Sequence, residues 1–175
     1  LLLRTLLPLL ARTGQGAATI SQTRISYREA GTGLDARSWP RRGPGPGDRA
    51  PDSALTCPEG QTHLFTRLAA TPGFALVRLP GSRPLAALDQ AAAAVVARWP
   101  GLVDSFSVLA GPGPATADAL VDRDGELYRR YAVRGPELLL VRPDGHIAAR
   151  APLTRAGAIG ACIEQLLRTG HVAAA

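Results

Sequence analysis

The chain opens on an apolar stretch, LLLRTLLPLLA at 1–11, broken only by Arg4 and Pro8. This pattern predicts a short helix, limited by Pro8, whose leucine face needs a surface to cover it. Residues 19–29 alternate, with Ile25 and Tyr27 on one side, and read as a strand. Glycine, proline and charge then dominate residues 31–53, which read as a linker because they hold too little apolar surface to fold alone. Trp39 stands out there, as a docking anchor or as an exposed side chain. From about Ala54 the apolar positions become regular. Residues 63–70 fit a short helix stopped by Pro72 and Gly73, and residues 74–79 (FALVRL) have the length and content of a strand. Pro84 suits the first turn of a helix that continues to Trp99, with Leu85, Leu88 and Val95 near helical spacing. Residues 102–109 form the next apolar strand, 111–114 a loop and 126–131 a short helix. Residues 137–142 and 146–150 are two strands joined by the hairpin dipeptide Asp144-Gly145. Thr154 is placed to cap a last helix running to about Arg168, before Gly170.

From Phe74 onward the order is βαβαββα. A parallel βαβ half followed by an antiparallel hairpin is the order of an α/β thioredoxin-like fold. Right-handed crossovers place helices on both faces of its central mixed sheet. Three regions follow: 1–30 as the remnant of an upstream domain, 31–53 as linker, and 54–170 as the thioredoxin-like domain.

Composition changes this picture little. The chain has 175 residues, a net charge of +6 and 20 basic residues, all of them arginine. The arginines are scattered and few aromatics lie between them, which argues against a nucleic-acid surface and for coding bias. Only Arg41 and Arg42 are adjacent in the linker. No methionine occurs, even at position 1, so the chain is expected to begin inside a longer reading frame. The leucine-rich start lacks the basic n-region of a signal peptide and is too short to span a bilayer, so no membrane role is expected. Cys57 and Cys162 are far apart and no CxxC exists, which excludes dithiol redox chemistry and zinc-ribbon sites on spacing. A cytoplasmic setting is the expectation.

Candidate chemistry is sparse. Asp122 and Asp124 resemble the start of a metal loop but lack the later ligands, so a turn that caps the following helix is the expected role. His63, His146 and His171 are too dispersed for a ligand set, with His146 expected on an exposed hairpin. Tyr128 and Tyr131, three apart, are expected to face the core or a partner. Cys162 lies beside Ile159, Ile163 and Leu166 and reads as a small buried hydrophobe, while Cys57 precedes Pro58 in a loop and is the more exposed thiol. No catalytic, cofactor-binding or metal-binding residue is assigned.

Five segments carry a family resemblance: ISYRE at 25–29, GDRAPD at 47–52, LFTRLAATPGFALVRL at 64–79, DGELYRRY at 124–131 and LLLVRPDGHIAAR at 138–150. In this order they resemble the C-terminal thioredoxin-like region of class A FAD-dependent aromatic-ring hydroxylases of the phenol, polyketide and rifampicin type. The resemblance implies a parent that uses FAD and NAD(P)H to hydroxylate an aromatic substrate. It places the flavin in an upstream domain with a GxGxxG and an aspartate motif, neither of which occurs here. The proline-rich runs at 43–47 and 111–114 do not substitute, because proline removes backbone N–H groups that a phosphate needs. The family's tail usually lacks redox cysteines. Where a working thioredoxin carries its CxxC, this chain has Pro80-Gly81-Ser82-Arg83-Pro84, and Ser82 has no base beside it in the sequence. Pro136 stands where thioredoxins keep a cis-proline, or is an ordinary loop proline before a strand.

Three readings follow. The first is a non-catalytic structural or oligomerisation module that packs on an upstream FAD-binding domain or a second subunit, with the leucine-rich start, Tyr27 and Trp39 as docking features. The second is a stand-alone, redox-inactive thioredoxin-like binding protein. The third, a peroxiredoxin-type enzyme using Cys57, needs a thiol at a helix start after a core strand, and Cys57 precedes the first core strand.

Overall fold

The computed structural model describes residues 34–37 and 42–168. The leucine-rich start, the strand expected at 19–29, Trp39, Arg41, Gly170 and His171 lie outside them. Eight strands form one sheet: β1 (Leu34–Asp35), β2 (Ala54–Cys57), β3 (Gly60–His63), β4 (Phe74–Gly81), β5 (Val103–Ala110), β6 (Ala119–Asp122), β7 (Glu137–Val141) and β8 (Ile147–Pro152). The helices are α1 (Leu64–Ala69), α2 (Ala86–Arg98), α3 (Glu126–Arg130) and α4 (Gly157–Arg168). Across the sheet the order is β1-β8-β7-β4-β5-β6-β2-β3.

The thioredoxin order expected from the sequence is present. Strands β4 and β5 are parallel and joined through α2, while β7 is antiparallel to β4 and to β8. Residues 74–77 of β4 and 138–141 of β7 read as continuous apolar runs because these strands are central and covered on both faces. On one face Leu88, Ala92 and Val95 of α2 meet Ile159, Cys162, Ile163 and Leu166 of α4 over Phe74, Leu76, Leu138 and Leu140. The α4 positions recur at the spacing that puts one helical stripe on a core. On the other face Leu64 of α1 and Leu127 of α3 pack with Tyr131 over Val77, Phe106, Val108 and Leu139. Each such fully buried large apolar side chain favours the folded state by about 1.5–3 kcal/mol.

Four local expectations are corrected. β2 and β3 form a hairpin that the sequence reading lacked, and Cys57 ends β2 rather than sitting in a loop. β6 was also missed: its four residues are too few to show a period, and pairing between β5 and β2 makes them a strand. Thr154 lies inside a 3-10 turn, Leu153–Arg155, and α4 starts only at Gly157. His146 is half-buried, not exposed, because Arg49 bridges to it from outside the hairpin.

That bridge belongs to a strap. Residues 42–53, assigned to the linker on composition, are fixed to the body along their length. Gly47 N–H donates to the Ile147 carbonyl, Ile147 N–H to the Asp48 carbonyl, and Ala50 N–H to the Gly145 carbonyl. Gly43 adopts a left-handed φ of +69°, and a Cβ there would stand 2.4 Å from the Tyr131 carbonyl oxygen. The GDRAPD motif is the middle of this strap. Arg49 lies over the Phe65 ring, Ala50 is fully buried, and the Pro51 carbonyl accepts the Tyr131 hydroxyl at 2.8 Å. Asp52 then accepts from the backbone N–H of Ser53 and of Phe65. It thereby caps α1 from outside the helix and satisfies a donor that would otherwise have no partner.

Candidate functional site

Two places in this fold gather polar groups out of the ordinary. One is the head of the sheet, where the parallel strands end. The other is a buried ion pair beneath the strap.

At the head, β4 ends in Pro80 and Gly81 and leads through Ser82, Arg83 and Pro84 into α2. The turn carries no thiol, and Ser82 is exposed. Tyr128 comes up from α3 to meet it. Its hydroxyl accepts the Gly81 N–H at 3.0 Å and donates to the Val108 carbonyl at 2.8 Å. α3 is held in place by Asp122, whose carboxylate accepts the Tyr128 N–H at 3.0 Å, so the expected capping role is what the structure shows. Burial pushes the Tyr128 phenol above its usual range, and its hydrogen bond with the Gly81 backbone offsets part of that shift. The phenol therefore stays protonated and acts as a clamp between β4, β5 and α3. Pro136, at the start of β7, and Val133 face the same head. Together these residues bound an open crevice of about 160 Å³.

The crevice does not fit a flavin. Pockets for cofactors and drug-sized ligands run to roughly 300–1,000 Å³. Phosphate binding at a helix start needs free backbone N–H groups. Of the backbone that lines the crevice, the Gly81 N–H is taken by Tyr128, and Pro80 and Pro136 have none.

The second place was invisible to sequence reasoning. Arg150 is fully buried and pairs with Glu137, which is nearly so. The other guanidinium nitrogen donates to the Pro44 carbonyl at 2.7 Å and the Tyr131 carbonyl at 2.9 Å. One side chain thus ties the strap, the end of α3, β7 and β8 together. Burial raises the Glu137 pKa and lowers that of Arg150, and each charge offsets part of the shift on the other. Arg37 and Asp35, paired at 2.7 Å, add charges beside the site. This is a structural hub: the guanidinium faces carbonyls and one carboxylate and is closed to solvent. The only signal in the sequence was an arginine at the end of an apolar strand, which reads equally well as a solvated edge.

The remaining candidates stay apart. Tyr131 is fully buried, and burial holds its phenol well above the usual range. His63 sits on the surface against Asp52. Among the described residues no three of His, Cys, Asp and Glu come together as a metal-binding group. Nor is any helix among them long and apolar enough to cross a membrane. Both cysteines are free, with Cys57 half-buried and Cys162 buried on α4.

Desolvation pushes the Cys162 thiol up to about 11 from an ordinary 9.0. Between those values the unfolded chain releases a proton that the folded chain keeps. Stability should therefore be insensitive to this group below pH 9 and fall as pH rises toward 11, by about 2–3 kcal/mol. Urea unfolding from pH 8 to 11 checks this: Cys162→Ala should make that limb shallower, and an unchanged slope would refute it.

The comparisons agree with this architecture. A family profile described as "Aromatic-ring hydroxylase, C-terminal" matches residues 43–169. The chain belongs to that family. The match begins at Gly43, where the strap meets Tyr131, and takes in every described strand and helix except β1. Among solved structures the chain resembles the flavin-dependent monooxygenase PieE, crystallised with FAD and substrate, at 21% identity and a TM-score of 0.63, covering 90% of this chain and 29% of PieE. It also resembles aklavinone-11 hydroxylase, crystallised with FAD and aklavinone, at 24% identity and a TM-score of 0.59, covering 83% of this chain and 26% of that one. A thiol:disulfide interchange protein of the DsbE type from Chlorobium tepidum matches at 20% identity and a TM-score of 0.54, covering 71% of this chain and 97% of that one. At these identities the likeness is one of fold. No protein with a curated description matches. The chain therefore spans under a third of the two hydroxylases and nearly all of the thioredoxin-like protein.

Proposed function

We propose that this aromatic-ring hydroxylase C-terminal domain is a non-catalytic structural or oligomerisation module of an FAD-dependent monooxygenase. On this reading residues 1–30 are the remnant of the upstream body, 31–53 the connection to it, and 54–170 the thioredoxin-like domain. The FAD and NAD(P)H chemistry belongs to the upstream FAD-binding domain, in the cytoplasm, and the segment binds neither cofactor. Its partner is that domain or a second subunit. The observation that carries the reading is the clamp at the head of the sheet. Where a redox thiol would open α2, the turn holds Ser82, Arg83 and Pro84, and the Tyr128 hydroxyl instead ties the ends of β4 and β5 together through Gly81 and Val108.

The DsbE-type protein is covered almost whole, so the same fold occurs as a separate chain. That favours, as a second reading, a stand-alone redox-inactive binding protein.

Two assays on the purified chain test the module. Titration with FAD should leave the flavin absorbance unchanged, and incubation with dithiothreitol and insulin should give no catalysed reduction. A saturable flavin spectrum or thiol-dependent turnover would overturn the proposal. A fixed homo-oligomer in size-exclusion chromatography would support it, whereas a monomer that does not associate with the upstream flavoprotein would favour the second reading.

A further inference from the structure

The crevice at the head of the sheet has the position of a ligand site. β4 is the strand at which the chain changes direction: α2 carries it to β5 over one face, and α3 returns it to β7 over the other. In open α/β sheets, ligands settle in the crevice outside the carboxyl ends of the parallel strands at such a switch point. Pro80 and Ala110, at the ends of β4 and β5, form part of the wall, and Pro136 and Val133 form the rest. These four side chains are apolar. At about 160 Å³ the space is too small for a nucleotide but close to the roughly 150 Å³ that accommodates a benzene ring in an apolar cavity.

The polar groups restrict what can enter. The Tyr128 hydroxyl already donates to the Val108 carbonyl, so it has no proton to offer an incoming anion. Arg134 borders the crevice, is exposed, and pairs with no carboxylate among the described residues. Glu137, the nearest acid in the sequence, is committed to Arg150. An apolar slot of one ring with an uncompensated guanidinium at its mouth suits a compact acid.

We propose that this crevice binds a small ring-bearing carboxylate, the ring between Pro80, Ala110, Val133 and Pro136 and the carboxylate on Arg134. The proposal does not depend on the module reading.

Benzoate is the probe. Titrated into the isotope-labelled 175-residue chain, it should shift the amide resonances of Gly81, Tyr128 and Gly135 saturably and leave the opposite end of the sheet unmoved. Arg134→Gln should weaken binding about fivefold, the size of one exposed ion pair. Ala110→Phe should abolish it by filling the slot. Acetate and benzyl alcohol separate the two halves of the claim: each should bind more weakly than benzoate. The proposal fails if acetate matches benzoate, if the shifts spread without saturating, or if Arg134→Gln binds as tightly as the parent chain.

Discussion

Replacing Arg150 by methionine is expected to lower the free energy of unfolding by about 3–5 kcal/mol, the cost of leaving one member of a buried pair uncompensated. Glu137 would keep its burial and lose its guanidinium. The carbonyls of Pro44 and Tyr131 would lose a charged donor at the same time. Because Pro44 belongs to the strap, the loss should also be local. Amide exchange of Gly47 and Ala50, which donate to the Ile147 and Gly145 carbonyls, should quicken more than that of β4 and β7. The double variant Glu137→Leu with Arg150→Met removes the orphaned charge and should recover part of the stability. Recovery stays incomplete, since the two carbonyls remain unpaired. Urea unfolding followed by circular dichroism measures all three chains. A single variant within 1 kcal/mol of the parent would show that the pair carries no such weight.

Gly73→Ala should be the most damaging of the glycine substitutions, at about 2–3 kcal/mol. A Cβ at Gly73 would lie 2.1 Å from the Leu102 carbonyl oxygen and 2.9 Å from its carbon. Both are backbone atoms, and the same oxygen accepts the Phe74 N–H at 2.8 Å. Relief therefore means moving the start of β4 away from the start of β5, where Phe74 pairs with Val103 in the centre of the sheet. Gly157→Ala is the control. A Cβ there meets nothing within 4 Å and the residue opens α4, so alanine should be neutral or stabilise by about 0.4–1 kcal/mol. Equal midpoints for the two variants in urea would refute the close-approach argument.

How far the sequence was readable depended on the length and the burial of each element. β4 and β7 could be recognised because a strand covered on both faces is mostly apolar, here at every position of FALV and LLLV. α2 and α4 could be recognised because a helix on a core repeats its contacts every three or four residues. β3, with the sequence GQTH, has no such constraint: it is an exposed edge strand, and only its partner β2 makes it a strand. The strap's attachment to the body was hidden for a related reason. Glycine and proline looked like freedom, but Gly43 and Gly47 have positive φ, Gly43 stands against the Tyr131 backbone, and Asp48 and Asp52 bind backbone.

The candidate site divided along the same line. The βαβαββα order, the lack of a CxxC and the segments of the hydroxylase family are properties of residue order, and they were legible before any contact was known. What fills the head of the sheet is a matter of long-range contact. Gly81 and Tyr128 are 47 positions apart, and Arg150 reaches Pro44 across 106. Local periodicity reports which face of an element is buried. It does not report which distant polar atom meets which. The Tyr128 clamp, the Arg150 hub and the crevice beside Arg134 therefore came from the tertiary structure alone. Each exists only because closing the sheet brings separate segments within hydrogen-bonding distance.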